Sequence, residues 1–188
     1  MKARLRSLFA GGGRASPLAG SELIRAELFS AERLLLHAES LARAQTVTTT
    51  PIRGQPLSRR LADNSRALLA AYRAIARTID EGGAITPSAE WLVDNFHVVE
   101  EQIREIRTDL PPGFYRQLPK LADGALAGHP RVFGLAWAFV AHTDSRFDPH
   151  LLTRFVQAYQ AVQPLEIGEL WAVPITLRVI CLLGMTGV

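Results

Sequence analysis

The chain has 188 residues, of which 48% are hydrophobic and 21% are charged, a composition typical of a folded globular protein rather than a disordered one. A formal net charge of +3 does not favour a nucleic-acid partner, and the single cysteine, Cys181, excludes an internal disulfide. The most apolar stretch is interrupted by Pro174 and Arg178, so no uninterrupted run predicts a membrane-spanning helix. We therefore expect a cytoplasmic protein.

The first part of the chain contains a leader and one helical pattern. Residues 1–19 are rich in arginine, glycine, serine and proline, which predicts a disordered leader. Leucines at helical spacing begin after Ser21. They end at the threonine-rich run 46–50, where β-branched residues before a proline favour an extended chain.

Two longer amphipathic patterns follow. The first begins at Ser58, which can cap a helix, and stops at the pair Gly82-Gly83. The second begins at Thr86, followed by a proline whose missing N–H costs nothing in a first turn. Apolar residues spaced four, three, four and three form a seam along it: Leu92, Phe96, Val99, Ile103 and Ile106. We expect these two helices to lie antiparallel across the glycine link.

The second half of the chain predicts four more helices. A short one runs through residues 114–122, and another opens at Pro130 and is apolar on every face, so we expect it at the centre of the domain. A third starts at Asp148 as a cap followed by proline, and the last begins near Glu166.

These patterns predict an all-α fold. We expect a single bundle-like domain of about seven helices over residues 20–188, behind the leader of residues 1–19. No alternating pattern of useful length predicts a strand, and no internal repeat is visible.

The sequence contains no complete catalytic, metal-binding or cofactor-binding motif. Gly11–Gly13 lack the Lys-Ser/Thr pair of a phosphate-binding loop. The five histidines lie on separate predicted elements, without the spacing of metal ligands. The polar corner of Asp144, Arg146 and Asp148 offers too few ligands for calcium. We expect no catalytic residue, metal or cofactor in this chain.

Two carboxylates near the start of the last helix are the remaining catalytic candidates. Glu166 and Glu169 are three residues apart and are expected on one side of the helix. Glycoside hydrolases use two carboxyl groups around a sugar, and Trp171 can stack on one. Acidic residues at a helix N-terminus also complement the helix dipole, and we favour this structural role. A small enzyme that uses both acids is the alternative.

Two segments mix apolar and polar side chains and are candidate interaction surfaces. In residues 91–97 polar side chains interrupt a hydrophobic stretch. In residues 114–121 aromatic and cationic side chains follow a rigid proline turn. Either segment can contact a sugar, an acidic partner or another helix. The candidate interaction residues are Trp91, Asp94, Asn95, Tyr115, Arg116 and Lys120.

Four long blocks carry a resemblance to a known family. The blocks are PLSRRLADNSRALLAAYRAIARTIDEG from Pro56, ITPSAEWLVDNFHVVEEQIREIRTDLPPGFYRQLPKL from Ile85, PRVFGLAWAFVAHTDSRFDP from Pro130 and VQPLEIGELWAVPITLR from Val162. They cover most of residues 30–179 in order. They resemble the N-terminal region of cyclic β-1,2-glucan synthases, which are very large inner-membrane glycosyltransferases of Gram-negative bacteria.

The resemblance implies a part of a larger enzyme. Such synthases build a linear β-1,2-glucan from UDP-glucose and close it into a ring. Their catalytic domains lie after the region matched here, so the resemblance transfers no catalytic residue to this chain. It implies a non-catalytic helical N-terminal domain at the cytoplasmic face of the inner membrane, with the transferase and membrane domains of the parent synthase as partners.

A carbohydrate-binding module is the alternative function. It would hold the β-1,2-glucan chain through an aromatic residue, either Trp91, Tyr115, Trp137 or Trp171.

The C-terminal residues depart from the family pattern. After Arg178, residues 179–188 are apolar on all faces and contain two glycines, which predicts a product truncated at its C-terminus. A tail of this kind exposes apolar surface, and self-association through it is a further expectation.

Overall fold

A computed structural model describes residues 28–50, 57–143 and 147–185. Within these residues the protein has eight α-helices and one short strand pairing, so the predicted all-α class is confirmed. The predicted leader, residues 1–19, lies outside the described residues. The elements are α1 (Ala31–Ala44), β1 (Val47–Thr48), α2 (Leu57–Asp80), α3 (Pro87–Asp94), α4 (Phe96–Asp109), α5 (Pro112–Gln117), β2 (Lys120–Leu121), α6 (Arg131–His142), α7 (Pro149–Val162) and α8 (Ile167–Met185).

Two predicted helix starts are confirmed by their capping hydrogen bonds. The Thr86 hydroxyl accepts from the backbone N–H of Ala89 at 3.3 Å, at the start of α3. The Asp148 carboxylate accepts from the N–H groups of His150 and Leu151 at 2.9 and 3.2 Å, at the start of α7. Each cap satisfies donors that have no partner within the helix.

The single helix predicted from Thr86 onwards is divided into two helices, α3 and α4. The described residues therefore contain eight helices, whereas seven were expected over the domain. The division falls at Asn95, which adopts a non-helical φ of −111° and ψ of 13°. Its side-chain amide donates to the carbonyl of Trp91 at 2.8 Å. Asparagine competes for backbone hydrogen bonds in this way, which favours a break in a helix.

Two further expectations about helix boundaries were wrong. Helix α2 begins at Leu57, so Ser58 lies in its first turn and is not its cap. The short helix expected over residues 114–122 ends at Gln117, and residues 120–121 form β2. Helix α8 begins at Ile167, close to the expected start at Glu166, and continues through Pro174 and Arg178. By length and composition α8 could cross a membrane, although 56% of its most apolar window is buried within the protein. A core helix meets the same criterion.

The core lies between two pairs of helices. Helix α1 packs along α7, and α6 packs along α8. The buried residues of α1 are Leu34, Ala38 and Ala42, which share one face and let α7 approach closely. Between α6 and α7, the rings of Phe139 and Phe155 are 5.5 Å apart. Helix α6 is buried on nearly every side, as its apolar pattern predicts.

A short antiparallel pairing joins two loops that are distant in sequence. Val47 of β1 pairs with Leu121 of β2, and Thr48 pairs with Lys120. Both residues of β2 are buried. The pairing therefore holds the chain after α1 against the chain before α6, and it places Lys120 inside the protein.

Candidate functional site

A cleft of about 590 Å³ lies between α8, α5 and the end of α4. Aromatic and aliphatic side chains form most of its lining, together with two charged side chains that are about half exposed. Its lining residues are Asp109, Phe114, Gly168, Trp171, Pro174, Ile175 and Arg178. A concave apolar surface with a few polar groups is the usual form of a binding site.

Helix α8 presents an apolar stripe beside the cleft. Ile167 is 77% exposed and Trp171, one turn further on, is 72% exposed. Leu170 and Pro174, three and seven residues after Ile167, are exposed on the same face of the helix. We call these four residues the α8 stripe. The other sides of α8 are buried in the core, so this helix is apolar both inside and outside. Exposed apolar patches of this kind often mark interaction sites.

A small ion-pair network fixes the charged side of the cleft. The Arg178 guanidinium lies 3.0 Å from the Glu105 carboxylate and 3.8 Å from that of Asp109, both on α4. All three side chains are partly exposed, so the network contributes about 1 kcal/mol or less to folding. Its main consequence is to place one cation and two carboxylates beside the aromatic wall.

Three predicted interaction residues meet at the junction of α3 and α4. Trp91 is 53% exposed, Asp94 is exposed, and Asn95 is half-buried. None of the three lines the cleft described above. Their role as a contact surface stays a prediction.

Of the other three predicted interaction residues, Tyr115 and Arg116 lie on α5 and Lys120 lies on β2. Arg116 is exposed, whereas Lys120 is only 5% exposed. The Lys120 ammonium donates to the carbonyl of Tyr115 and lies 4.1 Å from the centre of its ring. Burial lowers the pKa of Lys120 to about 8. Lys120 is therefore engaged inside the protein, and Arg116 is the cation of this group that faces solvent.

Near Lys120 lie two other basic side chains that sequence patterns did not single out as a site. His129 is 3% exposed, and its ring stacks on that of Phe133 at 4.7 Å. Burial, together with the charges of Arg60 and Lys120, lowers the pKa of His129 to about 4. Among the described residues, the Nδ1 atom of His129 and the Nη1 atom of Arg60 are buried without a hydrogen-bond partner. We call Arg60, Lys120 and His129 the cationic cluster.

The carboxylate candidates at the start of α8 have different surroundings. Glu169 is fully buried, and both of its oxygens accept hydrogen bonds from Arg131 of α6. One of these oxygens also accepts from the backbone N–H of Glu166 at 3.0 Å, as in half of a capping box. Glu166 itself is exposed. Glu169 thus has a structural role at the helix N-terminus, unlike the two open carboxylates that flank a sugar.

Trp171 is the one residue of the carbohydrate-module alternative that lines the cleft within the described part of the chain. Trp137 is half-buried on α6, and Tyr115 packs against Lys120. Phe114 belongs to the segment 114–121 that was predicted as an interaction surface, whereas the contribution of Asp109 was missed, because this residue reaches the cleft from the end of α4.

The sequence also predicted exposed apolar surface in the tail after Arg178, and this was largely wrong within the described residues, because Val179, Ile180, Leu182 and Leu183 are buried. The exposed apolar side chains lie earlier on α8, at Ile167 and Trp171.

No model of a known protein family matches the chain. Over 159 residues, or 84% of its length, the chain is 42% identical to the cyclic β-(1,2)-glucan synthase NdvB of Rhizobium meliloti (strain 1021). It spans 6% of the length of that protein. The resemblance predicted from the sequence is therefore confirmed, and the chain matches a fragment of such a synthase.

Proposed function

We propose that this chain, similar to a small part of a cyclic β-1,2-glucan synthase, is a non-catalytic docking segment that positions or regulates the transferase of such an enzyme. Most of the relative's length lies outside the matched region, which leaves ample surface for this segment to contact. The proposal sets the segment at the cytoplasmic face of the inner membrane, where the transferase and membrane domains are its partners.

The main support for this proposal is the exposed α8 stripe together with the neighbouring cleft. Protein interfaces combine a central aromatic anchor with a surrounding polar rim. Trp171 supplies an exposed anchor, and the cleft beside it can receive an apolar side chain from the partner. Arg178 and Asp109 supply the polar edge. We therefore expect the transferase region of the parent synthase to occupy this face.

Copurification tests the docking proposal. The chain would be coexpressed with a related synthase that lacks the matched segment, and the two would be isolated through a tag on the chain. Trp171→Ser should reduce the recovered synthase at least tenfold, since loss of an aromatic anchor costs 2 kcal/mol or more in a typical interface. Trp91→Ser is the matched control, because Trp91 is also exposed and lies on α3. Loss of binding with Trp91→Ser and not with Trp171→Ser would move the contact to the α3–α4 junction.

The second candidate function is a carbohydrate-binding module. Trp171 and Phe114 can stack on the apolar face of a sugar, and the charged groups of Asp109 and Arg178 can bind hydroxyls. Calorimetric titration with linear β-1,2-glucan tests this function. Saturable heat that disappears in Trp171→Ala and persists in Tyr115→Ala would support it. Absence of heat in the wild-type chain would leave the docking proposal as the better one.

Self-association was expected through the C-terminal tail, and we propose the α8 stripe as the contact instead, because Val179, Ile180 and Leu182 of the tail are buried. Two copies could cover each other's apolar stripe, and the exposed side chains of Ile167 and Trp171 support such a contact. Sedimentation at several protein concentrations would test it. A dimer that dissociates in Ile167→Ser is the expected result, and a monomer at all concentrations would exclude it.

A further inference from the structure

Three basic side chains from separate segments converge at the N-terminal end of α2. Arg60 belongs to the first turns of that helix, Lys120 to β2, and His129 to the loop before α6. Tyr115 connects Lys120 to this end of the helix. Its hydroxyl accepts a hydrogen bond from the backbone N–H of Leu57, and the Lys120 ammonium lies over its ring. Among the described residues, no carboxylate forms an ion pair with any member of the cationic cluster.

This arrangement leaves buried polar groups unsatisfied. The Nη1 atom of Arg60 and the Nδ1 atom of His129 lie away from solvent and have no hydrogen-bond partner within the described residues. Buried polar atoms in folded proteins nearly always have a partner, and a buried cation without a counter-charge is especially costly. Two unsatisfied nitrogens in one cluster therefore indicate a ligand that accepts hydrogen bonds and carries negative charge.

The charge at the start of α2 is compatible with such a ligand. The first turn of α2 contains Arg59 and Arg60 and no acidic residue. The first turns of α1, α3 and α8 each contain a glutamate, whereas those of α4, α5, α6 and α7, like that of α2, contain no acidic residue. The N-terminus of a helix carries partial positive charge and free N–H groups, so it disfavours cations and attracts anions. An anion bound at this end of α2 would balance the positive charges of both arginines.

We propose that the cationic cluster binds a phosphate-like oxyanion at the N-terminal end of α2. The guanidinium of Arg60 and the ammonium of Lys120 supply charge, and an imidazole N–H of His129 donates a further hydrogen bond. Donors on three different segments surround an anion from several directions, which suits a tetrahedral oxyanion better than a planar carboxylate. The half-buried side chain of Arg60 provides the side from which such an anion enters.

Thermal unfolding of the full chain in inorganic phosphate tests this site. Phosphate would replace chloride at constant ionic strength. We expect the Tm of the wild-type chain to rise with phosphate concentration, since a ligand that binds the folded state stabilises it. Arg60→Gln should lose this rise. Arg59→Gln, which removes an exposed cation from the same turn, should keep it. An equal rise in all three proteins would be a general salt effect and would overturn the proposal, as would the absence of any rise.

NMR of the His129 ring gives a second test that needs no variant. Saturable movement of its ring proton signals with phosphate, absent with chloride, is the expected result. Bound phosphate should also raise the His129 pKa from its low value near 4. A ring signal that does not respond to phosphate would overturn the site even if Arg60→Gln failed to fold. Neither measurement involves the synthase, so the outcome is independent of the docking proposal.

Discussion

Arg131 and Glu169, which lie 38 residues apart, form an ion pair inside the protein. Arg131 is 4% exposed and Glu169 is fully buried. The Arg131 Nε atom lies 2.9 Å from one carboxylate oxygen, and its Nη2 atom bonds the other oxygen and also donates to the carbonyl of Pro164 at 3.1 Å. This pair ties α6 to the first turn of α8, and it therefore sets the position of the α8 stripe.

Breaking this pair should strongly destabilise the protein. We expect Glu169→Gln to lower the free energy of unfolding by about 3–5 kcal/mol, because it leaves a buried guanidinium without a counter-charge. Urea unfolding followed by circular dichroism would measure the loss. Glu101→Gln is the control, since it breaks the exposed Arg104–Glu101 pair of 3.3 Å and should cost about 1 kcal/mol or less. Equal losses in the two variants would contradict a structural role for Glu169.

Protonation of His129 should lower the free energy of unfolding in mild acid. Its pKa is lowered from 6.5 to about 4 by burial and by the charges of Arg60 and Lys120. The unfolded chain therefore binds a proton at a pH where the folded protein does not. The contribution of neutral His129 to the free energy of unfolding is fully present above about pH 6.5. It decreases by roughly 3 kcal/mol as the pH falls towards 4.

Urea unfolding at several pH values in chloride buffer would measure this dependence. His129→Gln should lose less stability than the wild-type chain between pH 6.5 and 4. His97→Gln is the control, because His97 is exposed on α4, and its pH dependence should match that of the wild type. Parallel curves for His129→Gln and the wild type would contradict the buried neutral state of His129.

Asn64 links α2 to the end of α8. Its side chain is buried, and its amide donates to the carbonyl of Leu182 at 2.8 Å. We expect Asn64→Ala to cost about 1–3 kcal/mol, since the substitution leaves that carbonyl without its side-chain donor. Thermal unfolding would detect this loss. The neighbouring change Asp63→Ala, at an exposed position, should remain within about 0.5 kcal/mol of the wild type.

The N-cap of α7 should also contribute measurably to the free energy of unfolding. Replacing Asp148 by alanine removes the acceptor for two N–H groups, and we expect a loss of about 1 kcal/mol. Asp148→Asn should retain most of the stability, because asparagine is an equally good N-cap. A similar loss in both variants, measured by urea unfolding, would show that the cap hydrogen bonds are not the source of the effect.

Sequence patterns predicted the starts of α3 and α7 correctly because the capping signals are local. Asp148 and Thr86 each precede a proline, and the capping side chain and the first turn lie within four residues. The break at Asn95 was missed, since the apolar seam continues across it. In the structure Phe96 stacks on Tyr72 of α2 at 4.3 Å, so packing between helices sets the register of α4.

The candidate sites were harder to predict for a related reason. The burial of Lys120 depends on a strand pairing with Thr48, and the role of Glu169 depends on Arg131 of another helix. Neither partner can be read from the periodicity of one segment. Trp171 was recognised as an aromatic residue that could bind sugar, but the cleft around it is formed by three helices.

Cys181 allows the most direct test of docking through α8. It is the single cysteine of the chain, and it is exposed on the same side of α8 as Trp171. The rate of its alkylation by N-ethylmaleimide, followed by mass spectrometry, would be compared with and without the segment-deleted synthase. A control variant, Ser40→Cys in a Cys181→Ser background, places a thiol at an exposed position of α1, which packs along α7.

Docking through α8 predicts that the synthase slows alkylation of Cys181 at least tenfold, since a fully covered thiol reacts only when the complex dissociates. Alkylation in the Ser40→Cys control should be unaffected. An unchanged rate at Cys181 while the two proteins copurify would contradict docking through this face.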